Sequence, residues 1–594
     1  MILGIPMVLV AFLVLGSAVA VVLAAARDRV AHADPGLGTA RRFFVYLLAA
    51  LGLVAGANGV AWLLQALVGV VVRAPELTRD TTIALGVALT AVGVPAWLAF
   101  WGVAQRTVRA KPHEATFLLR QVYLYALLTA SLATAAVAAV EVLAAVLGVA
   151  PRHPAAPLAT LVVWAAVWTF HARVERAEPP ATEAGGTLRL LHVYGVAVVA
   201  LTVLALATGS ALQHALDAAY RTLVGHAPLV ATSSPVASDA LRLAVVDAAV
   251  AAVVWWWYGH RLARPATDGW PRAAATYAFG IFPGAAAVVG AASVLLYQAL
   301  QVAFGAGPAV ERFAVLPAVL ATFVVGGGVW AVHLARARAE AALDPGRARA
   351  GRRTSDHLLA AIGLVAVAVG LVQALAAAFG ALAPAAATLH DDAWRNPTIL
   401  ALTLLAVGGS LWVVVWRRLQ RRAHAEPDVE RAAGARRLYL TIAFGVGVAA
   451  ALVAASVALY DVVVAVLAGQ GLAALWDVRF SLATALVAAA VGGYHGAVLR
   501  EDRAALAAAT PRAVARARPD VVVLARRGDA EVVRKLEARW GGRVTVWWRE
   551  DGDAPEAGAL DVEALAARLE AVVAPRAVVW MGREGAEVAP VASA

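Results

Sequence analysis

The 594-residue chain contains no cysteine, only two lysines and only 15% charged residues. Without cysteine there are no disulfides, thiolate metal centres or cysteine nucleophiles. With lysine confined to Lys111 and Lys535, arginine carries almost all of the formal charge of +11. Soluble domains carry about 25% charged and about 45–50% apolar residues. Here 62% are hydrophobic and the mean hydropathy is +0.75. An ordinary soluble enzyme, a disordered chain and a collagen-like fibre are thereby excluded.

The apolar excess lies in long runs, each sufficient to cross about 30 Å of hydrocarbon. They fall near residues 2–24, 41–72, 80–105, 116–148, 155–173, 187–212, 237–260, 272–304, 309–335, 357–380, 393–416, 437–468 and 474–498. The sequence therefore predicts an all-α polytopic membrane protein of about 13 transmembrane helices. Residues 1–30 read as an N-terminal anchor, 40–500 as a repeat domain and 510–594 as a small α/β domain. The first run lacks a basic leader, so it reads as an uncleaved anchor with its N-terminus outside.

Basic residues in the loops divide 27 to eight between the two sides. By the positive-inside rule the rich side is cytoplasmic, and the C-terminal domain with it. The expected location is the bacterial cytoplasmic membrane, the alanine–arginine bias being that of a GC-rich genome. The expected partners are the lipid bilayer and a protein partner, or a second copy, reached through the C-terminal domain. No nucleic acid is expected, because the arginines flank hydrophobic spans. From Arg500 onward acids and bases cancel, so the net charge belongs to the membrane part.

An internal repeat underlies the topology. Six two-helix units open at Arg41, Arg120, Arg189, Arg272, Arg353 and Arg436. In four of them a tyrosine follows five residues later: Tyr46, Tyr125, Tyr194 and Tyr277. The return helices close on small residues, aromatics and arginine, as in Gly93-x3-Trp97-x3-Trp101 before Arg106 and Gly408-x3-Trp412-x3-Trp416 before Arg417. The opening Arg41-Arg42-Phe43-Phe44-Val45-Tyr46, the two-helix unit and this ending resemble a bacterial integral membrane family. It is catalogued as domain of unknown function 5671, and the resemblance covers roughly residues 40–500. It implies a membrane protein without an assigned activity and supplies no catalytic residues.

Five helical residues rise about 7.5 Å, so an arginine among headgroups places its tyrosine at the hydrocarbon edge. Arg41, Tyr46, Arg120, Tyr125, Arg189, Tyr194, Arg272 and Tyr277 therefore read as interfacial anchors. The alternative is an aromatic vestibule that captures an amphipathic ligand. Each opening helix also carries a polar residue near its far end: Gln65, Glu141, Gln213, Gln298, Gln373 and Asp461. These read as a polar cap or interhelical hydrogen bonds, or else as a ring facing a shared space.

Asp247 is the most deeply embedded charge, 14 residues before Arg261. A carboxylate there must face protein, water or a partner. Its readings are a structural hydrogen bond or a proton- or ligand-binding group. Pro95, Pro283-Gly284, Gly326-Gly327-Gly328 and Gly408-Gly409 read as close-packing or kink positions. Thirteen histidines show no His-x3-His pair, and no metal or cofactor is expected.

The tail reads β-α-β-α-β, with strands at 520–525, 543–548 and 577–580 and helices at 529–540 and 561–573. It holds no histidine, and its one serine is Ser593, so acid–base or nucleophilic catalysis there is not expected. Function is expected to be that of a non-catalytic scaffold or sensor with a cytosolic interaction domain. The alternative is a transporter or channel for a small or amphipathic solute, with Asp247 and the polar positions lining its path. A lipid-processing enzyme would need clustered acid–base groups that the sequence does not offer.

Overall fold

The computed structural model describes residues 37–71, 80–149, 153–178, 182–224, 235–263, 270–305, 309–343, 345–382, 395–516, 519–540, 543–550, 561–572, 574–582 and 585–591. The anchor expected at 1–30 lies outside them. Among the described residues twelve helices are long and apolar enough to cross a membrane. They are α1 (Arg41–Val71), α2 (Asp80–Ala110), α3 (Leu118–Val146), α4 (Ala155–Ala177), α5 (Ala184–Leu223) and α6 (Asp239–Leu262). There follow α7 (Pro271–Ala303), α8 (Phe313–Glu340), α9 (Arg349–Ala381), α10 (Arg395–Ala425), α11 (Gly434–Leu467) and α12 (Ala474–Ala508). These match the twelve runs expected after the first, so the fold is an all-α polytopic membrane protein.

Consecutive helices pack as hairpins, α1 on α2, α3 on α4, α5 on α6, α7 on α8 and α9 on α10. Lipid solvates leucine as well as protein does, so the helices associate through close backbone approach. A Cβ on Gly93 of α2 would lie 2.3 Å from the backbone nitrogen of Gly56 on α1. On α7, one on Gly284 would lie 2.7 Å from the backbone nitrogen of Trp330. The glycines are thus packing positions, and α2 continues as one helix through Pro95. Among the described residues three segments widen to π-helix: Trp256–Leu262, Ala274–Ile281 and Leu405–Gly409. Leucines, valines and phenylalanines along the outer faces, such as Leu67, Val92, Val253 and Leu452, remain exposed for lipid.

By contact the chain divides into two compact units, Met1–Trp416 with Leu459–Ala483, and Arg417–Ala458 with Thr484–Ala594. The second unit includes the small sheet domain. The helix of α12 runs on to Arg516, and β1 (Asp520–Ala525) starts the sheet. Then come α13 (Ala530–Trp540), β2 (Val544–Trp548), α14 (Val562–Glu570), β3 (Arg576–Gly582) and β4 (Gly585–Val591). The strand order is β2-β1-β3-β4, with β1 parallel to β2 and β3, and β4 antiparallel to β3.

The fourth strand was not expected. Its sequence, Gly585-Ala-Glu-Val-Ala-Pro-Val591, carries little β-propensity and one proline, which an edge strand tolerates. Val521, Val523, Ala525, Ala577, Val579 and Met581 alternate onto the buried face beneath Val533, Leu536, Trp540, Leu565 and Leu569. Asp561 caps α14 by accepting from the backbone of Glu563 and Ala564. Trp547 and Trp580 remain exposed on the opposite face.

Candidate functional site

At the openings of five of the six units an arginine is held by an acid from the return helix or the loop beside it. Arg42 donates to both carboxylate oxygens of Glu114, each at 2.9 Å, while Arg41 beside it is exposed. Arg120 clasps Glu178 at 2.6 and 2.7 Å and is fully buried. Arg189 meets Glu175 at 2.9 Å, Arg272 meets Glu340 at 2.7 Å, and Arg436 meets Asp502 at 2.6 Å. A guanidinium at the edge of hydrocarbon loses water, and a fixed, bidentate carboxylate replaces it. These acids did not stand out in the sequence. A signal was available: Glu178, Glu340 and Asp502 each lie seven residues after a histidine, two helical turns on.

Those histidines, His171, His333 and His495, are buried. Each Nδ1–H donates to the carbonyl four residues earlier, at 2.8 Å on Val167, Val329 and Val491. That fixes the tautomer and leaves Nε2 as the acceptor. For His495 the Tyr439 hydroxyl donates to it at 3.3 Å. Tyr123 occupies the same offset from Arg120 as Tyr439 does from Arg436, and its ring lies 5.8 Å from that of His171.

The four tyrosines of the repeat are buried among helices. Tyr46 accepts from Arg120 at 3.3 Å, joining the first hairpin to the second. Tyr125 donates to Glu175 at 3.4 Å, and Tyr194 to the Ala263 carbonyl at 3.3 Å. The Tyr277 hydroxyl sits where a side chain on Gly351 would be, with only 1.9 Å to a Cβ there.

The seven polar candidates do not line a common cavity. Asp461 accepts from Ser481 at 3.3 Å, Glu141 is exposed, and Gln65, Gln298 and Gln373 are half-buried. Asp247 is half-buried on the face of α6 that also carries the buried Ala244 and Ala251. Gln301, missed in the sequence, is buried and ties α7 to α10. Its amide donates to Tyr297 at 2.7 Å and to Asn396 at 2.8 Å. Among the described residues no three histidines, aspartates or glutamates group to hold a metal.

Gln213 does line a cavity. Between α5, α7 and α8 lies a cleft of about 420 Å³, within the range of about 300–1,000 Å³ common for ligand sites. Its walls are small because Gly209, Gly284, Ala287, Ala321 and Gly326 line it. Thr202, Ser210 and Thr322 join Gln213 as its polar groups. Leu206, Phe279 and Thr322 are exposed, so the cleft opens sideways between the helices.

Toward the arginine-bearing ends a chamber of about 40 Å³ adjoins it, with Leu201 lining both. Tyr194, Trp255, Gly259, Thr276, His333 and Arg336 surround that chamber. Two of the three π-helical segments carry its walls, Gly259 in one and Ala275 and Thr276 in the other. Such widened turns recur at functional sites.

The family model of a domain of unknown function (DUF5671) matches residues 42–155 and 353–493. This bears out the expected resemblance at two stretches, on α1–α3 and on α9–α12. The cleft-forming α5, α7 and α8 lie between them. No curated protein and no solved structure matches the chain.

Proposed function

We propose that this chain, which matches a domain without assigned activity at two stretches, is a non-catalytic membrane scaffold or sensor that binds an amphipathic molecule in the α5–α7–α8 cleft. The observation that carries this reading is the cleft itself: intramembrane, laterally open, walled by glycine and alanine, with four polar groups along it. The ion pairs at the hairpin ends support a rigid frame around it. The small sheet domain serves as the interaction module, on the cytoplasmic side that the arginine bias favours.

A transporter needs its polar groups to share a path. Of the seven candidates only Gln213 lines the cleft, which favours binding over conduction.

The test is photolabelling with a lipid that carries a diazirine on its tail. Peptides spanning 318–329 should label more strongly than the lipid-facing stretch 446–466, and Ala287→Phe, which fills the cleft, should abolish that excess. Equal labelling of both stretches, or an excess unchanged by Ala287→Phe, would sink the reading.

A further inference from the structure

Resting on that reading, we infer the chemistry and depth of the occupant: an uncharged, single-chain amphiphile whose head donates hydrogen bonds. The head is held among Gln213, Ser210 and Thr322, and the chain runs from there to Leu201. The first observation is depth. Gln213 lies 24 residues beyond Arg189 on α5, about 36 Å along the helix. An arginine among headgroups on one side therefore puts Gln213 at the opposite boundary of the hydrocarbon, which is about 30 Å thick. The antiparallel α8 packs against α5. Ala197 and Val198 share the small chamber with His333 and Arg336, so about 12 residues further along each helix Ser210 and Thr322 reach the same level. From Ser210 to Leu201 the cleft follows α5 for nine residues, about 14 Å. That is the depth of one leaflet. The cleft volume of about 420 Å³ sits low in the range of ligand sites, which suits one chain and a small head.

The second observation is the chemistry of the lining. Among the described residues that line the cleft none is charged. A charged head there would be left without a counter-charge in hydrocarbon, a cost that neutral hydrogen bonds do not offset. The Thr322 hydroxyl donates to the Ala318 carbonyl at 2.8 Å, and the Thr202 hydroxyl to the Val198 carbonyl at 2.9 Å. With its proton committed, each oxygen can meet an occupant only as an acceptor. The Gln213 amide adds a carbonyl acceptor and two N–H donors, and Ser210 adds a hydroxyl. Acceptor sites thus outnumber donor protons around the head, so the head that fits carries O–H or N–H groups, as a glyceryl ester or a primary amide does. Between Ser210 and Leu201 the lining of α5 is Gly209, Leu206, Ala205 and Thr202. Since the Thr202 proton is already satisfied on its own helix, an alkyl chain can pass over it.

The experiment is native mass spectrometry of the full chain in nanodiscs doped with one amphiphile at a time. The probes share one chain length: a monoacylglycerol, the methyl ester of the same acid, an alkyl sulfate and a diacylglycerol, with glycerol as a soluble competitor. The monoacylglycerol should be retained about tenfold over the methyl ester, the gain expected of one or two neutral hydrogen bonds. Gln213→Leu should bring the two esters to within about twofold by lowering the monoacylglycerol and leaving the methyl ester unchanged. Thr322→Val should lower the preference and Thr322→Ser should keep it. The alkyl sulfate and the diacylglycerol should be retained less than the monoacylglycerol, and millimolar glycerol should not displace it.

Parity of the two esters on the native chain would overturn the donor head, while retention of both would leave the cleft reading standing. Equal retention of the alkyl sulfate would overturn the uncharged head, and equal retention of the diacylglycerol would overturn the single chain. If Gln213→Leu lowers both esters alike, Gln213 serves the packing of the helices and the head is wrongly placed. Displacement by glycerol would make the far end a polyol site with no part for the chain. The cleft reading itself falls if neither Ala287→Phe nor Thr322→Phe, the latter at the exposed mouth, lowers retention of any amphiphile.

Discussion

Glu178→Gln isolates what a repeat ion pair contributes. Arg120 is fully buried, and Glu178 accepts two of its donors at 2.6 and 2.7 Å. What remains after the carboxylate is removed is a Tyr46 contact at 3.3 Å and the Trp101 ring at 5.0 Å. Removing one partner of a buried pair costs about 3–5 kcal/mol. Glu178 keeps 18% exposure, and a glutamine carbonyl restores one acceptor worth about 1 kcal/mol. The expected loss is therefore about 2–3 kcal/mol.

The assay is reversible denaturant titration in mixed micelles, followed by tryptophan fluorescence. The double variant Arg120→Met with Glu178→Leu removes both charges and should fall within about 1 kcal/mol of the native chain. Glu340→Gln is the control. Arg272 and Glu340 are each 27% exposed, and the loss there should stay below about 1 kcal/mol. If Glu178→Gln costs no more than Glu340→Gln, or if the double variant loses the sum of its singles, the burial argument is refuted.

Two further predictions follow from the structure. Hydrogen bonds from Arg42 hold the Glu114 carboxyl below its ordinary value. Its contribution is therefore present above the ordinary carboxylate pKa of about 4.3 and is lost as pH falls through the depressed value. Glu114→Gln should flatten the acid limb of a melting-temperature profile taken from pH 7 to pH 3; an unchanged acid limb would contradict the assignment. Leu536 is fully buried under the sheet, and Leu536→Ala should cost about 2–5 kcal/mol. In a domain this small that exposes residues 520–591 to limited proteolysis while far-ultraviolet dichroism of the membrane helices persists, and resistance equal to the native chain would argue against this core.

Much of the architecture was legible in residue order. A span must satisfy every backbone group within itself, so length and hydropathy reveal it, and twelve expected runs became twelve helices. Glycine placement foretold close crossings, and β-branched runs foretold β1, β2 and β3. The fourth strand escaped because an edge strand with proline, glutamate and alanine has no apolar alternation to betray it. The acids Glu114, Glu178, Glu175 and Glu340 escaped because a charged residue just beyond a hydrophobic run looks like any solvated loop residue.

Length, hydropathy and the arginine repeat by themselves determined a polytopic helical protein with a small C-terminal α/β region, because hydrocarbon acts on each span locally. Only the tertiary structure decided which arginines meet which acids, with sequence separations such as 58 for Arg120–Glu178 and 66 for Arg436–Asp502. It also decided that Gln213, alone among the seven polar candidates, lines the α5–α7–α8 cleft. A cavity is a difference between three packed surfaces, set by how Gly284 on α7 and Gly326 on α8 let those two backbones approach while Gly209 on α5 leaves open space, and no single segment of sequence contains it.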